Sequence, residues 1–122
     1  MTAALAACGK QPPAIDVFPQ TIGAWRRTSL REPGLGETSD PVPQTSVRRV
    51  QAATYEGPGK LEARAYELTS SAVGLDLAQR WRPSADTVFF WAKQYFVVVK
   101  WQEADRRALQ EFTSILEKRL NQ

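Results

Sequence analysis

The chain has 122 residues, of which 43% are hydrophobic and 24% are charged, and these totals predict one globular domain with its own core. The formal net charge is only +3 and the basic pairs are scattered, so we expect no nucleic-acid partner. The chain has no histidine and a single cysteine, which excludes His-assisted serine or cysteine catalysis, zinc sites of His and Cys, and thiol redox chemistry; we expect no metal and no cofactor.

Residues 1–8 are interpreted as the end of a bacterial lipoprotein signal. The run Leu5-Ala6-Ala7-Cys8 resembles a lipobox, in which small residues precede a cysteine whose sulfur receives a diacylglyceryl group. A complete signal has a basic region and about 7–15 apolar residues, whereas seven residues precede Cys8, so we expect a leader truncated by a late start codon. The alternative is an alanine-rich terminus with an incidental cysteine.

Residues 9–21 contain three prolines and few apolar side chains, which is typical of an extended tether. The two or three acyl chains of a bacterial lipoprotein bind a membrane stably, and such a tether would let the domain stand away from the lipid. The remaining residues, 22–122, are predicted to form the single domain.

Three strands are predicted in the first half of that domain. Residues 24–31 form the first, and residues 32–46, with three prolines and two glycines, form a long loop. Residues 47–56 and 60–69 form the second and third, joined by the Gly57-Pro58-Gly59 turn. Alternation along the third strand places Leu61, Ala63 and Ala65 on one face and Glu62, Arg64 and Tyr66 on the other.

A helix of about twelve residues follows, capped at Ser70-Ser71 and ended by Pro83. Its buried stripe is predicted to contain Val73, Leu77 and Trp81. Gly74 disfavours the helix relative to alanine. Close contact between the helix and the sheet explains this glycine better than the approach of a ligand to the helix backbone.

A second hairpin is predicted from residues 87–92 and 95–101, with Lys93-Gln94 as the turn. Both of its faces are apolar, which indicates cover on both sides. The last segment is an amphipathic helix with Leu109, Phe112, Leu116 and Leu120 on its buried face, Ile115 alongside, and Glu103 and Asp105 in its first turn. The order β-β-β-α-β-β-α predicts an α+β fold with an antiparallel sheet of about five strands and two helices.

The stretch from Phe18 to Trp25, FPQTIGAW, resembles the Pro-x-x-Ile-Gly-x-Trp opening of some exported bacterial proteins, including exosortase-associated ones. Residues 66–68, the helix after them, and residues 89–91 and 95–98 are similar to an uncharacterised domain family of bacterial lipoproteins. The resemblance covers most of residues 18–101. It implies a shared fold, and it brings no established activity and no catalytic residues.

Several aromatic and basic side chains are candidates for contact with a ligand or partner, because cations adjoin indole rings in the sequence. They are Trp25, Arg26, Arg80, Trp81, Arg82 and Tyr95. Core packing of the tryptophans, with arginine stems lying along them, is the favoured alternative.

These observations predict a lipid-anchored, non-enzymatic binding or assembly module on the periplasmic or extracellular face of a bacterial cell envelope. The membrane contact is the lipid on Cys8, and the partner is an envelope protein. A soluble domain that binds a small ligand or a polyanion through Arg and Trp side chains is the alternative. A third hypothesis is a carboxylate enzyme, in which Glu62 approaches Asp86 or Glu103 for general acid–base chemistry.

Overall fold

The computed structural model describes residues 17–34 and 40–121. The predicted lipobox with Cys8, and residues 9–16 of the predicted tether, lie outside the described residues. The first described residue, Val17, is already buried.

The described residues contain one antiparallel sheet of six strands, in the order β1-β2-β3-β4-β6-β5. The strands are β1 (Thr21–Ile22), β2 (Trp25–Arg31), β3 (Val47–Glu56), β4 (Gly59–Leu68), β5 (Thr87–Ala92) and β6 (Tyr95–Ala104). Two α-helices accompany it, α1 (Ser71–Arg80) and α2 (Arg106–Leu120), and a 3-10 helix (Gln44–Ser46) precedes β3. The predicted α+β class and the order of strands and helices are therefore confirmed.

The strand that the sequence did not predict is β1, which has only two residues. It pairs with the first residues of β2, Ile22 opposite Trp25, across a turn in which Gly23 has a φ of 58°. That left-handed conformation is easy for glycine and disfavoured for other residues. The turn folds the N-terminal segment back onto the sheet.

The two helices lie on opposite faces of the sheet. Val88 and Phe90 of β5 pack against the core under α2, whereas Phe89 and Trp91 pack against the core under α1. This arrangement confirms the prediction that the second hairpin needs apolar cover on both faces. Its two-residue turn is also as predicted, with Lys93 at a φ of 53°.

Helix α2 begins at Arg106, because the side chain of Asp105 accepts a hydrogen bond of 3.0 Å from the N–H of Ala108. The predicted apolar face is buried: Leu109, Phe112, Leu116 and Leu120. Glu103 was expected in the first turn of this helix, but it belongs to β6, since that strand continues three residues beyond its predicted end at 101.

Helix α1 has ten residues rather than about twelve, and it ends where Trp81 adopts an extended backbone. Ser70 occupies the N-cap position without a side-chain hydrogen bond to the helix. A Cβ atom on Gly74 would overlap the indole ring of Trp91, so the glycine permits the close contact between helix and sheet that the sequence indicated.

The folded domain begins earlier than predicted. Val17 and Phe18 are buried, and the hydroxyl of Tyr55 donates a hydrogen bond of 2.5 Å to the carbonyl of Pro19. A guanidinium nitrogen of Arg27 donates to the carbonyl of Phe18 at 2.6 Å. Residues 17–21 are thus part of the domain, not of a tether over 9–21, because two apolar side chains anchor them in the core.

Candidate binding groove

Helix α1 covers only one end of its sheet face. There Trp81 stacks on Phe89, with ring centroids 5.1 Å apart and planes inclined by 25°, and Phe96 lies beneath both rings. Tyr66 and Val98 belong to the same apolar cluster. Beyond this aromatic cap, no helix of residues 17–34 and 40–121 lies over the same face of β4 and β6.

The uncovered end of the face holds a groove of about 560 Å³. We call it the β4–β6 groove; its lining residues are Thr54, Lys60, Leu61, Glu62, Asp86, Lys100, Trp101 and Gln102. Glu62 lies on the α1 face because side chains alternate along β4 and Tyr66, four residues on, is under α1. The groove therefore exists because α1 is too short to cover the whole sheet.

The register of β4 and β6 brings charged side chains together. Glu62 pairs with Lys100, and Lys60 pairs with Glu103. The register shifts at Gln102, which lies between these two pairs. The backbone N–H of Trp101 donates to the carbonyl of Asp86 at 3.1 Å, which places the segment before β5 along the side of the groove.

Two arginines hold the carboxylate of Glu62. Its Oε2 accepts a hydrogen bond of 3.0 Å from Arg31, and its Oε1 accepts one of 2.7 Å from Arg64. Both oxygens of Glu62 are therefore engaged within the protein, and its negative charge is matched by cations.

The most buried ion pair of the described residues lies beside the groove. Arg64 donates two hydrogen bonds to Asp40, of 2.7 and 3.0 Å, and the hydroxyl of Tyr66 donates to the same carboxylate. The side chains of Arg64 and Asp40 are 14% and 7% exposed. Burial acts to lower the pKa of Arg64, but the hydrogen bonds and charge of Asp40 outweigh it, so the net pKa is raised.

The lysines of the groove differ from its arginines. Lys60 and Lys100 are exposed, and within residues 17–34 and 40–121 neither side chain makes a hydrogen bond or an ion pair. Asp86 is half-buried, and its Oδ1 accepts a hydrogen bond of 3.0 Å from Thr87. The groove thus presents two ammonium groups that have no partner among the described residues, whereas the side chain of Trp101 packs against the core under α2 on the opposite face.

Trp25 does not occupy a ligand-accessible position. It is 1% exposed, its indole N–H donates to the carbonyl of Ala108 at 3.0 Å, and its ring meets Phe112 edge-on at 6.0 Å. Its proposal as a contact residue is corrected: Trp25 belongs to the core under α2. Arg26, its neighbour in sequence, is exposed.

The candidates near the end of α1 interact mainly with that helix. Arg80 forms an exposed ion pair of 2.6 Å with Asp76 one turn earlier, and Arg82 donates to the carbonyls of Gln79 and Trp81 at 3.3 Å. Trp81 is half-buried in the aromatic cap. None of these side chains lines the β4–β6 groove.

Tyr95, at the start of β6, packs partly against the core under α2. Burial raises the pKa of its hydroxyl, the charge of Glu67 raises it further, and Arg49 acts in the opposite direction. Arg49 in turn makes two hydrogen bonds with Glu32, of 2.9 and 3.0 Å. The six predicted contact residues are consequently spread over both faces of the sheet.

The sequence did identify part of the groove. Glu62 and Asp86, the pair weighed for general acid–base chemistry, line it together, whereas Glu103 lies opposite Lys60 and is not in its lining. Lys60 was missed as a site residue. The available signal was the alternation along β4, which places Lys60 on the same face as Glu62. The sequence alone did not show that β6 lies beside β4 and brings Lys100 close to these two residues.

Comparison with protein-family models, with curated proteins and with solved structures finds no match to this chain. Neither α1 nor α2, the α-helices of the described residues, combines the length and apolar character that would let it span a membrane. In the same residues, no three carboxylate or thiol groups are close enough together to hold a metal ion.

Proposed function

We propose that this protein is a non-enzymatic binding module held at a bacterial envelope membrane by a lipid on Cys8. The observation that carries the proposal is the box Leu5-Ala6-Ala7-Cys8, followed after a short proline-containing stretch by a folded domain in which Val17, the first described residue, is buried in the core. An extended chain spans about 3.3–3.6 Å per residue, so the nine positions from Cys8 to Val17 reach roughly 30 Å at most. The anchor would keep the domain close to the membrane surface.

The β4–β6 groove is the binding surface in this proposal. Its volume of about 560 Å³ falls within the range of about 300–1,000 Å³ that small-molecule sites occupy. A binding role is supported over catalysis by Glu62, because two arginines hold its carboxylate and a proton taken from a substrate would weaken both ion pairs.

The test of the anchor is fatty-acid labelling in a bacterium that expresses the protein from its full upstream reading frame. We expect the protein to incorporate labelled palmitate and to sediment with membranes. Cys8→Ala should abolish both, because the acyl chains are attached through this sulfur. Cys8→Ala has a matched control in Ala7→Ser, which keeps a small residue in the box and should still be labelled. Labelling that persists in Cys8→Ala, or no labelling of the wild type, would contradict the anchor.

A soluble binding domain is a second candidate, favoured by the ammonium groups of Lys60 and Lys100, which have no ion-pair partner in the part of the chain that the structure describes. This candidate function requires no lipid, and it predicts that the protein is found in the soluble fraction with its groove intact. Fractionation of the labelled cells separates the two proposals, because only the anchored form depends on Cys8 for its location.

A further inference from the structure

We infer that the outer edge of β5 is the contact surface for a second copy of this chain, so that two sheets join through their β5 strands into one continuous sheet. The partner is an identical β5 strand, placed antiparallel across a two-fold axis that runs perpendicular to the sheet. This inference concerns self-association, and it depends neither on the lipid at Cys8 nor on the β4–β6 groove.

The two edges of the sheet differ in their protection against pairing with another chain. The edge strand β2 carries Arg26, Arg27 and Arg31, its register with β3 shifts between Arg27 and Ser29, and β1 pairs with its first residues. Charges, bulges and short covering strands are usual ways to protect an edge. The edge strand β5 has the sequence TVFFWA, without charge or proline, and its register with β6 is unbroken. Among the described residues, no strand pairs with its outer side.

The outward backbone groups of β5 follow from its hydrogen bonds. The N–H of Trp101 donates to the carbonyl of Asp86, and in an antiparallel pair every second residue bonds to the neighbouring strand. The backbone groups of Val88 therefore face β6, and those of Phe89 and Trp91 face outward. Within residues 17–34 and 40–121, these outward N–H and C=O groups have no hydrogen-bond partner.

These outward groups are self-complementary. If Phe89 of one copy lies opposite Trp91 of the other, each residue donates to and accepts from its counterpart, and all the outward N–H and C=O groups of both residues are paired. Phe90 then lies opposite the same residue of the second copy, in a pair whose Cα atoms are about 4.5 Å apart. Aromatic cross-strand pairs of this kind stabilise antiparallel strands.

One flank of α1 adjoins the same edge. β4 and β5 are both antiparallel to β6, so β4, α1 and β5 form a parallel crossover, which is right-handed in about 98% of cases. With this hand, the flank of α1 that includes Ser71, Leu75 and Ala78 is the one toward the outer side of β5. The close approach of Gly74 to the ring of Trp91 agrees with this orientation.

That flank of α1 is uncharged and partly apolar. Leu75 is 43% exposed, which is unusual for a large hydrophobic side chain of this domain. The charged side chains Asp76 and Arg80 pair with each other on the opposite flank. The two-fold axis places both copies of α1 on one face of the joined sheet, so Leu75 of each copy faces α1 of the other. The contact surface thus has apolar side chains above the strands as well as backbone groups between them.

The experiment is analytical ultracentrifugation of the full chain with Cys8→Ala, which excludes a disulfide or a lipid as the cause of association. We expect the mass to rise from that of one chain to that of two as the concentration increases from micromolar to millimolar. Leu75→Lys should weaken the dimer roughly ten-fold or more, because it brings like charges together across the axis. The matched control is Leu30→Lys, since Leu30 is 44% exposed but lies on β2, and this variant should associate as its parent does.

Hydrogen exchange of the backbone amides locates the contact without any change in β5, and circular dichroism checks that each variant is folded. The amides of Phe89 and Trp91 should exchange rapidly in dilute solution and become protected as the concentration rises. The amides of Val88 and Phe90 face β6 and should be protected at every concentration.

Three results overturn the inference. They are the mass of a single chain at every concentration, a dimer in which the protection of Phe89 and Trp91 does not depend on concentration, and a dimer that Leu75→Lys weakens no more than Leu30→Lys. If the chain stays single, rapid exchange at both amides leaves the edge to a different protein, whereas constant protection assigns it to another part of this chain. The labelling of Cys8 is a separate experiment, so none of these results decides the proposed function.

Discussion

The buried carboxylate of Asp40 supports the strongest prediction about stability. Asp40→Ala removes the acceptor of three hydrogen bonds, two from Arg64 and one from Tyr66. The substitution leaves a guanidinium that is 14% exposed without its main partner, and it releases the loop that Asp40 fastens to β4.

The size of the effect follows from these contacts. Removing one partner of a buried ion pair costs about 3–5 kcal/mol, because the remaining charge is left uncompensated. Arg64 retains its hydrogen bond of 2.7 Å to Glu62, which moderates the loss. We therefore expect Asp40→Ala to lower the free energy of unfolding by about 3 kcal/mol, a large part of the 5–15 kcal/mol that is usual for a domain.

Urea unfolding followed by tryptophan fluorescence measures this change, because it gives the midpoint and the slope together. The matched control is Asp76→Ala, which removes an exposed ion pair with Arg80 within α1. Exposed pairs of this kind contribute about 0.3–0.5 kcal/mol, so the control should be close to the wild type.

A second variant tests the reason for the loss. In Asp40→Ala/Arg64→Met no guanidinium is left without its partner, and we expect this protein to be more stable than Asp40→Ala alone. A loss below about 1 kcal/mol for Asp40→Ala, comparable to that of a surface pair, would refute the assignment of this pair as a buried anchor.

Three further variants test the packing and the titration of the fold. Gly74→Ala should destabilise the protein by about 1–2 kcal/mol, because the added Cβ would overlap the ring of Trp91. In a Trp91→Leu background the same change should instead stabilise the protein, because alanine has the higher helix propensity. The urea midpoints of the wild type, the two single variants and the double variant test this. Phe112→Ala should cost about 3–5 kcal/mol, because the ring meets Trp25 and Tyr55 edge-on in a fully buried position, and a loss near zero in calorimetry would contradict that packing. Burial and the charge of Glu67 raise the pKa of Tyr95 above 10.0, so the folded protein holds this proton more tightly than the unfolded chain and loses stability as the pH rises above 10.0. The free energy of unfolding of Tyr95→Phe should therefore decline less above pH 10.0 than that of the wild type. Equal declines in both proteins would show that Tyr95 does not cause the decline.

Local periodicity was enough to predict most of the elements. The alternation in β4, the two-faced apolar pattern of β5 and the apolar stripe of α2 each follow from neighbours in sequence. The strand β1 was not predictable in this way. Two residues carry no period, and the strand exists because Gly23 turns the chain so that Ile22 can pair with Trp25.

The candidate site was harder to predict from the sequence, because it depends on contacts between residues that are distant in the chain. Trp25 and Arg26 adjoin in the chain and so looked like a joint contact, but successive side chains of a strand point to opposite faces. The groove forms only because β6 pairs with β4 across the intervening helix and hairpin, which brings Lys100 opposite Glu62. Asp40 lies in a loop without periodic pattern, and its burial follows from the position of Arg64 on the folded sheet.

The central claim is the lipid on Cys8, and the intact mass of the mature protein tests it most directly. The protein would be expressed from its full upstream reading frame in a bacterium and purified from the membrane fraction. The account predicts a mature chain that begins at Cys8 and carries the added mass of a diacylglyceryl group. A mature protein that contains Cys8 as an unmodified thiol would contradict it.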